Sequence, residues 1–282
     1  MFISLIAMNI LYQTPQIAAG QATDPAVNIG SGHNQSNNWA GYVSAGGAFT
    51  SVTGSWIVPN VMAAANSADA AWIGIGGITS KDLIQTGTQA IVNDNGQVSY
   101  QVFYEMLPGN SRRIPLTVSP GDSITASIVQ QSSNQWTISL DDITTGQNYM
   151  TSVTYSSSLS SAEWIEEMPV RGRYFIPLDN FGSVQFSDLS TVKDGKELTP
   201  AQVDAKSIVM VNDLDQVIAQ VSNLGTDGAS FNVNRTSIMP SQNVSPFVRT
   251  GWRRAGDHGY HPLYRQGHGM GRSGRGNLRS EA

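Results

Sequence analysis

The feature that most constrains the fold is a two-residue rhythm interrupted by turn signals, clearest between Gln89 and Glu105. Gln89-Ala-Ile-Val92 and Gln97-Val-Ser-Tyr-Gln-Val-Phe-Tyr-Glu105 flank Asn93-Asp-Asn-Gly96, a turn of the kind that joins antiparallel strands. Successive side chains of a strand point to opposite faces. In the second run, Gln101, Phe103 and Glu105 share one face, and Val98, Tyr100, Val102 and Tyr104 share the other. The second face is the better core face. The first sets an acid beside an aromatic, which suits a substrate groove; a solvated outer face accounts for the alternation equally well.

The same rhythm recurs along the chain. Gly54–Pro59, Ala71–Ile75, Leu83–Thr86, Ser123–Val129, Trp136–Leu140, Ser183–Phe186, Ser207–Val211 and Ser230–Val233 all read as short strands. Pro120-Gly-Asp and Asp142-Ile-Thr-Thr-Gly146 read as turns. Strands at this spacing predict an all-β fold, a sandwich of two packed antiparallel sheets or a jelly roll. Thr199–Asp204 is the one stretch that suggests a short helix.

Composition narrows the chemistry. Charged residues make up 13% of the 282 residues, against about 25% in an average globular protein. The chain has no cysteine, so disulfides, thiolate nucleophiles and Cys-based metal sites are excluded. Of its four histidines, His258, His261 and His268 crowd near the C-terminus, which leaves only His33 for the body. Residues 1–248 hold nine Lys and Arg against 19 acids, a net of −10, whereas residues 249–282 hold seven Arg against two acids, a net of +5. A body rich in acids and poor in lysine fits an acidic environment and gives no support for nucleic-acid binding.

Residues 1–36 read as a leader or pro-segment. Met1–Tyr12 is apolar and uncharged, too short to span a bilayer, and resembles the apolar region of a secretory signal without its basic start. Residues 37–237 form the candidate domain, and residues 238–282 a basic Gly/Arg-rich tail whose part from 247 onward is expected to be disordered. The expected protein is secreted, without a stable membrane anchor, and a monomer.

Two strings place polar side chains in strand-like apolar settings: Leu83-Ile-Gln-Thr-Gly87 and Ala162-Glu-Trp-Ile-Glu-Glu167. In the second, Glu163, Ile165 and Glu167 share one face, and Trp164, Glu166 and Met168 the other. Three acids within five residues are costly to group unless one is solvated or protonated. A carboxylic acid with a raised pKa can serve as base and then acid, while an exposed acidic edge strand is the blander account. The Gln85 amide can donate to an oxyanion, though most lone glutamines are structural. Gly74-x-Gly76-Gly77 follows a strand and precedes no helix, so it is no phosphate loop. Asn34, Asn234 and Asn243 head Asn-x-Ser/Thr sequons.

Six strings in order resemble the glutamic peptidases, or eqolisins: Asn37-Asn-Trp-Ala-Gly-Tyr42, Ala71-Trp-Ile-Gly-Ile75, Leu83-Ile-Gln-Thr-Gly87, Tyr100-Gln-Val-Phe-Tyr-Glu105, Ala162-Glu-Trp-Ile-Glu-Glu167 and Asn180-Phe-Gly-Ser-Val-Gln-Phe186. Each string is weak alone; together they cover about residues 36–235. The resemblance implies a two-sheet β-sandwich and a catalytic dyad of Gln85 and Glu167, Glu167 being selected over Glu166 by counting from Ala162. It sets Trp39, Phe103 and Glu105 in the substrate groove.

The implied reaction is cofactor-free and metal-free hydrolysis of polypeptides. Glu167 acts on water as base and then as acid, and Gln85 steadies the oxyanion. A free glutamate titrates near pH 4.3, so the expectation is acid activity. The chain departs from the fungal pattern at Gly76, where those proteins carry Asp, and at Gln101, which replaces another acid. Two other readings stand beside this one. One is a glycan-binding or glycan-hydrolysing sandwich using Glu105 and Glu167 as its acids, with Trp39 and Phe103 as sugar platforms. The other is an inactive structural relative.

Overall fold

A computed structural model describes residues 34–171, 174–240 and 253–254. Its strands are β1 (Asn34–Ser36), β2 (Trp39–Ala45), β3 (Phe49–Ile57), β4 (Ser67–Gly76), β5 (Leu83–Val92), β6 (Val98–Met106), β7 (Arg112–Ile114), β8 (Ser123–Ser132), β9 (Gln135–Asp142) and β10 (Asn148–Thr154). They continue as β11 (Ser161–Glu167), β12 (Val170–Arg171), β13 (Tyr174–Phe175), β14 (Ser183–Lys193), β15 (Lys196–Leu198), β16 (Lys206–Val211), β17 (Val217–Val221), β18 (Phe231–Arg235) and β19 (Arg253–Arg254).

Antiparallel pairing runs β7-β6-β5-β4-β11-β2-β16 through one half of the molecule. It passes through the β16–β17 hairpin into β17-β18-β14-β3-β8-β9-β10. The two halves pack face to face as a β-sandwich, as the alternation predicts. Their shared core takes Ile73 and Ile75 from β4, Ile84 from β5, Val102 and Tyr104 from β6, and Trp164 from β11. Opposite them lie Val52 and Trp56 of β3, Ile124 and Ile128 of β8, Ile138 of β9 and Phe186 of β14. Burial of each aliphatic or Phe side chain contributes about 1.5–3 kcal/mol. The polar ends of the tryptophans are satisfied across the core: Trp56 Nε1 donates to Thr88 Oγ1 at 2.8 Å and Trp164 Nε1 to the Thr53 carbonyl at 2.8 Å.

Asn93–Gly96 closes the β5–β6 hairpin, Gly96 adopting a φ of 75° and donating its N–H to the Asn93 carbonyl at 3.0 Å. The runs Leu83–Thr86 and Gln89–Val92 are halves of one strand, because Gly87 continues the ladder opposite Trp72 and Phe103. Thr199–Asp204 is not a helix. It makes single turns, with Val203 N–H donating to the Thr199 carbonyl and Ala205 N–H to that of Pro200. Asp204 ends them at a φ of 54°.

Asn34–Ser36 pairs in parallel with β16, and Arg253–Arg254 pairs with β1. Residues 1–33, His33 included, and residues 241–252 and 255–282 of the tail, with its three histidines, lie outside the described residues. Among the described residues no helix is long and apolar enough to cross a membrane.

Candidate active site

Strand register sorts the outward face of β2, β11, β4, β5 and β6 into three rows. The first is Trp39, Glu167, Ala70, Gln89 and Gln101. The second is Gly41, Ile165, Trp72, Gly87 and Phe103, and the third is Val43, Glu163, Gly74, Gln85 and Glu105. Gln85 and Glu167 therefore lie two strands and four residues apart, about 10 Å across the sheet and about 13 Å along it. Trp72 lies on the diagonal between them.

Small residues make this floor possible. A side chain at Gly87 would meet the Ala71 carbonyl and the Trp72 Cβ at 2.6 Å, so glycine lets the indole lie down between β4 and β5. Val43, Ala70, Trp72, Leu83, Phe103, Ile165 and Ile208 form a second apolar cluster beneath the groove face. Phe103 is only 1% exposed. It is therefore part of the floor's support and cannot be the exposed sugar platform of the glycan reading. Trp39 is half-buried and meets Trp72 edge to face, with ring centroids 5.0 Å apart.

Glu167 is half-buried and held by both oxygens. Trp72 Nε1 donates to Oε2 at 2.7 Å, and Asn38 Nδ2 donates to Oε1 at 3.1 Å. Asn38 is fixed in turn: its carbonyl accepts the Met168 N–H at 2.8 Å, and Ser36 Oγ accepts the N–H groups of Asn38 and Trp39. Burial pushes the Glu167 pKa up to about 8; the indole's donation opposes this, the Glu105 charge adds to it, and Trp39 and Asn38 donate against it. Burial keeps Glu167 neutral through the acid range, and its N–H donors are placed to receive the carboxylate when it forms.

Gln85 is buried, and its Nε2 donates to Glu105 Oε2 at 2.9 Å. That bond fixes which end of the amide carries hydrogens and leaves the second N–H of Nε2 for another acceptor. Glu105, also buried, belongs to Gln85 as a hydrogen-bond partner in the same row. Two rows away, Gln89 Nε2 donates to Gln101 Oε1 at 3.3 Å. Gly76 has a φ of 94°, and a side chain there would meet the Asp82 carbonyl at 2.5 Å. The local backbone thus has no place for an acid at this position.

All five residues singled out in the sequence lie on this one face. Asn38 and Trp72, which hold Glu167, were not singled out, although both stand inside the quoted strings. Their tie to Glu167 spans 129 and 95 residues, so only the strand register reveals it. Glu166, the neighbouring acid, points the other way and is wholly buried. Among the described residues, no three His, Asp or Glu side chains are grouped to hold a metal ion.

Residues 37–233 match the model of a family described as the Peptidase A4 family. Aspergillopepsin-2 of Aspergillus niger is 29% identical over 201 residues, covering 61% of this chain and 70% of its own length. Scytalidopepsin B of Scytalidium lignicola is 32% identical over 201 residues, covering 66% of this chain and 75% of its own length. Among solved structures, scytalido-glutamic peptidase with a peptide-based transition state analog superposes with a TM-score of 0.62 at 27% identity, over 71% of this chain and 98% of that one. Aspergilloglutamic peptidase from Aspergillus niger superposes with a TM-score of 0.54 at 28% identity, over 60% of this chain and 99% of that one.

Proposed function

The chain belongs to the Peptidase A4 family of glutamic peptidases and is a hydrolase of peptide bonds, and from that premise we propose that it is a secreted, acid-acting endopeptidase with Gln85 and Glu167 as its catalytic dyad. The observation that carries the dyad is its geometry. One carboxyl holds two N–H donors, and one amide is oriented by an acid diagonally across Trp72.

A peptide bound over Trp72 and Gly87 sets its scissile carbonyl between the two side chains. The Glu167 carboxylate takes a proton from water as that water adds to the carbonyl carbon. The free N–H of Gln85 Nε2 donates to the oxygen that gains charge. Glu167 then returns the proton to the leaving nitrogen, the C–N bond breaks, and both enzyme groups are restored. No covalent intermediate forms. Because the Glu167 pKa is about 8, its carboxylate is a minor species at acid pH and correspondingly a strong base. Trp39 and Phe103 shape the groove and its floor, and Glu105 positions the amide.

The substrate class is polypeptide. Supporting this, one solved relative holds a peptide-based transition state analog and another is described in complex with the tripeptide Ala-Ile-His. Residues 37–237 form the catalytic domain of a monomer, with residues 1–36 as its leader and 238–282 as a tail. Secretion is supported by the apolar, uncharged start of the leader and the acid-rich, cysteine-free body. The glycan reading loses ground because Glu105 is engaged with Gln85 and Phe103 is covered.

The test is digestion of a denatured protein at about pH 3–5, the range of a free glutamate, with pepstatin present, beside a screen of glycan substrates. Pepstatin-resistant proteolysis is the expected result. Glycan cleavage without proteolysis would overturn the reading, and inactivity on both would make the chain a structural relative.

A further inference from the structure

Behind the groove, on the core face of the same strands, Asp69 of β4 and Glu166 of β11 meet Asp179 from the segment between β13 and β14. All three are at most 1% exposed. Asp69 stands at the centre, in side-chain hydrogen-bond contact with both Glu166 and Asp179, and its Oδ1 also accepts the Ala90 N–H at 3.2 Å. No N–H or hydroxyl donor reaches either oxygen of Glu166 or Asp179 among the described residues. Two carboxyl groups can hydrogen-bond each other only if at least one holds a proton.

The groups facing this cluster offset its charge only in part. From β6, Tyr100 approaches Asp69 and Asp179, but its hydroxyl accepts the Val61 N–H at 3.1 Å. From β18, Arg235 lies near enough to Asp179 to interact electrostatically. Its N–H groups go to the carbonyls of Asp179, Ile218, Thr236 and Ile238, at 2.6–3.0 Å. On the far side of β11, Glu167 adds repulsion to Glu166. The cluster is thus three acids with one partly engaged cation, closed off from water.

We infer that Asp69, Glu166 and Asp179 form a proton-sharing unit, Asp69 accepting from two neutral partners, and that the sandwich stays closed only while the unit keeps its protons. It thereby sets an upper pH limit on the folded enzyme. This limit belongs to the core and does not depend on the catalytic reading of Glu167.

The sign follows from proton counting. Burial pushes Asp69 up from 3.8 to about 6, against the hydrogen bonds it accepts, and pushes Glu166 and Asp179 well above their ordinary values. Between the unfolded and folded values the native state holds more protons than the unfolded chain, so stability falls as pH rises. Stability is full below the ordinary carboxylate range and is lost as pH climbs through the folded values. For Asp69 alone, the interval from 3.8 to about 6 corresponds to about a hundredfold rise in the unfolding equilibrium constant.

The experiment measures unfolding by denaturant at a series of pH values in full-length Glu167→Gln protein, a background that cannot digest itself. Glu166→Gln and Asp179→Asn are added singly. The expected result is a steep rise in the unfolding constant toward neutral pH in the background, and a rise at least about tenfold smaller in each added variant, as loss of one shared proton requires. Equal rises in all three proteins would overturn the inference. Infrared spectroscopy of the background protein gives a readout free of core mutations. A neutral-carboxyl C=O band should persist in the folded protein at neutral pH, and its absence there would also overturn the inference.

Discussion

Glu166 and Glu167 are adjacent in one strand and opposite in the face they take and in the partners that hold them. Glu167 is half-buried on the groove face and receives N–H groups from Trp72 and Asn38. Glu166 is wholly buried on the core face, and its partner is another carboxyl. Burial raises both pKa values, but only at Glu167 do N–H donors pull back, leaving it at about 8. A carboxyl that can reach either protonation state suits a group that must gain and lose a proton in each cycle. A carboxyl without N–H donors is suited to keeping its proton. One peptide unit separates the two because β alternation sends neighbours to opposite faces.

The sharpest way to break this contrast is to make each acid an amide. Glu167→Gln should lower kcat by about 10⁴-fold, the upper range for general acid–base catalysis. It should leave the fold intact and its neutral-pH stability equal or higher, because a group with a raised folded pKa has been removed. Glu166→Gln should keep nearly full activity at acid pH while changing the stability profile. Measuring kcat and unfolding on the same two proteins decides the matter. A dead Glu166→Gln beside an active Glu167→Gln would reverse the roles assigned to the pair.

Gln85→Ala tests the other half of the groove. Loss of one oxyanion donor costs about 10²–10³-fold in kcat, with KM little changed, because the amide acts on charge that develops after binding. The core acids should not respond to it: its unfolding profile against pH should parallel that of the parent protein. A loss carried by KM instead would make Gln85 a binding residue.

Much of this arrangement was legible in the sequence where packing and alternation agree. In β6, Val102 and Tyr104 enter the main core while Phe103 and Glu105 take the groove face, as the two-residue period requires. Trp164 and Met168 likewise mark the core face of β11. That same rule sends Glu166 inward with them, but no apolar pattern announces a carboxyl in a core. Its partners Asp69 and Asp179 lie about 100 residues before it and some way after it in the chain, and only the folded register brings them together. Asn38 and Trp72 were hidden for the same reason. The short helix suggested at Thr199–Asp204 reflects local propensity alone, which tertiary context overrides.

The smallest expected effect concerns Asn38, and it bears directly on what separates the two acids. Its Nδ2 donates to Glu167 Oε1 at 3.1 Å and favours the carboxylate. Asn38→Ala removes that donor, while the backbone bond from Met168 N–H to the residue 38 carbonyl can remain. The Glu167 pKa should then move further above about 8. At any pH below that value the carboxylate fraction falls, by up to about tenfold for one pKa unit. The measurement is kcat/KM against pH: its rising limb should shift toward higher pH in the variant, with the two profiles converging at the alkaline end wherever the fold still holds. Asn38→Asp, which keeps the shape but cannot donate when ionised, should not restore the parent profile. A uniform drop at every pH, with the limb unmoved, would mean that Asn38 acts only through its turn. N–H donation would then not be what distinguishes Glu167 from the acid beside it.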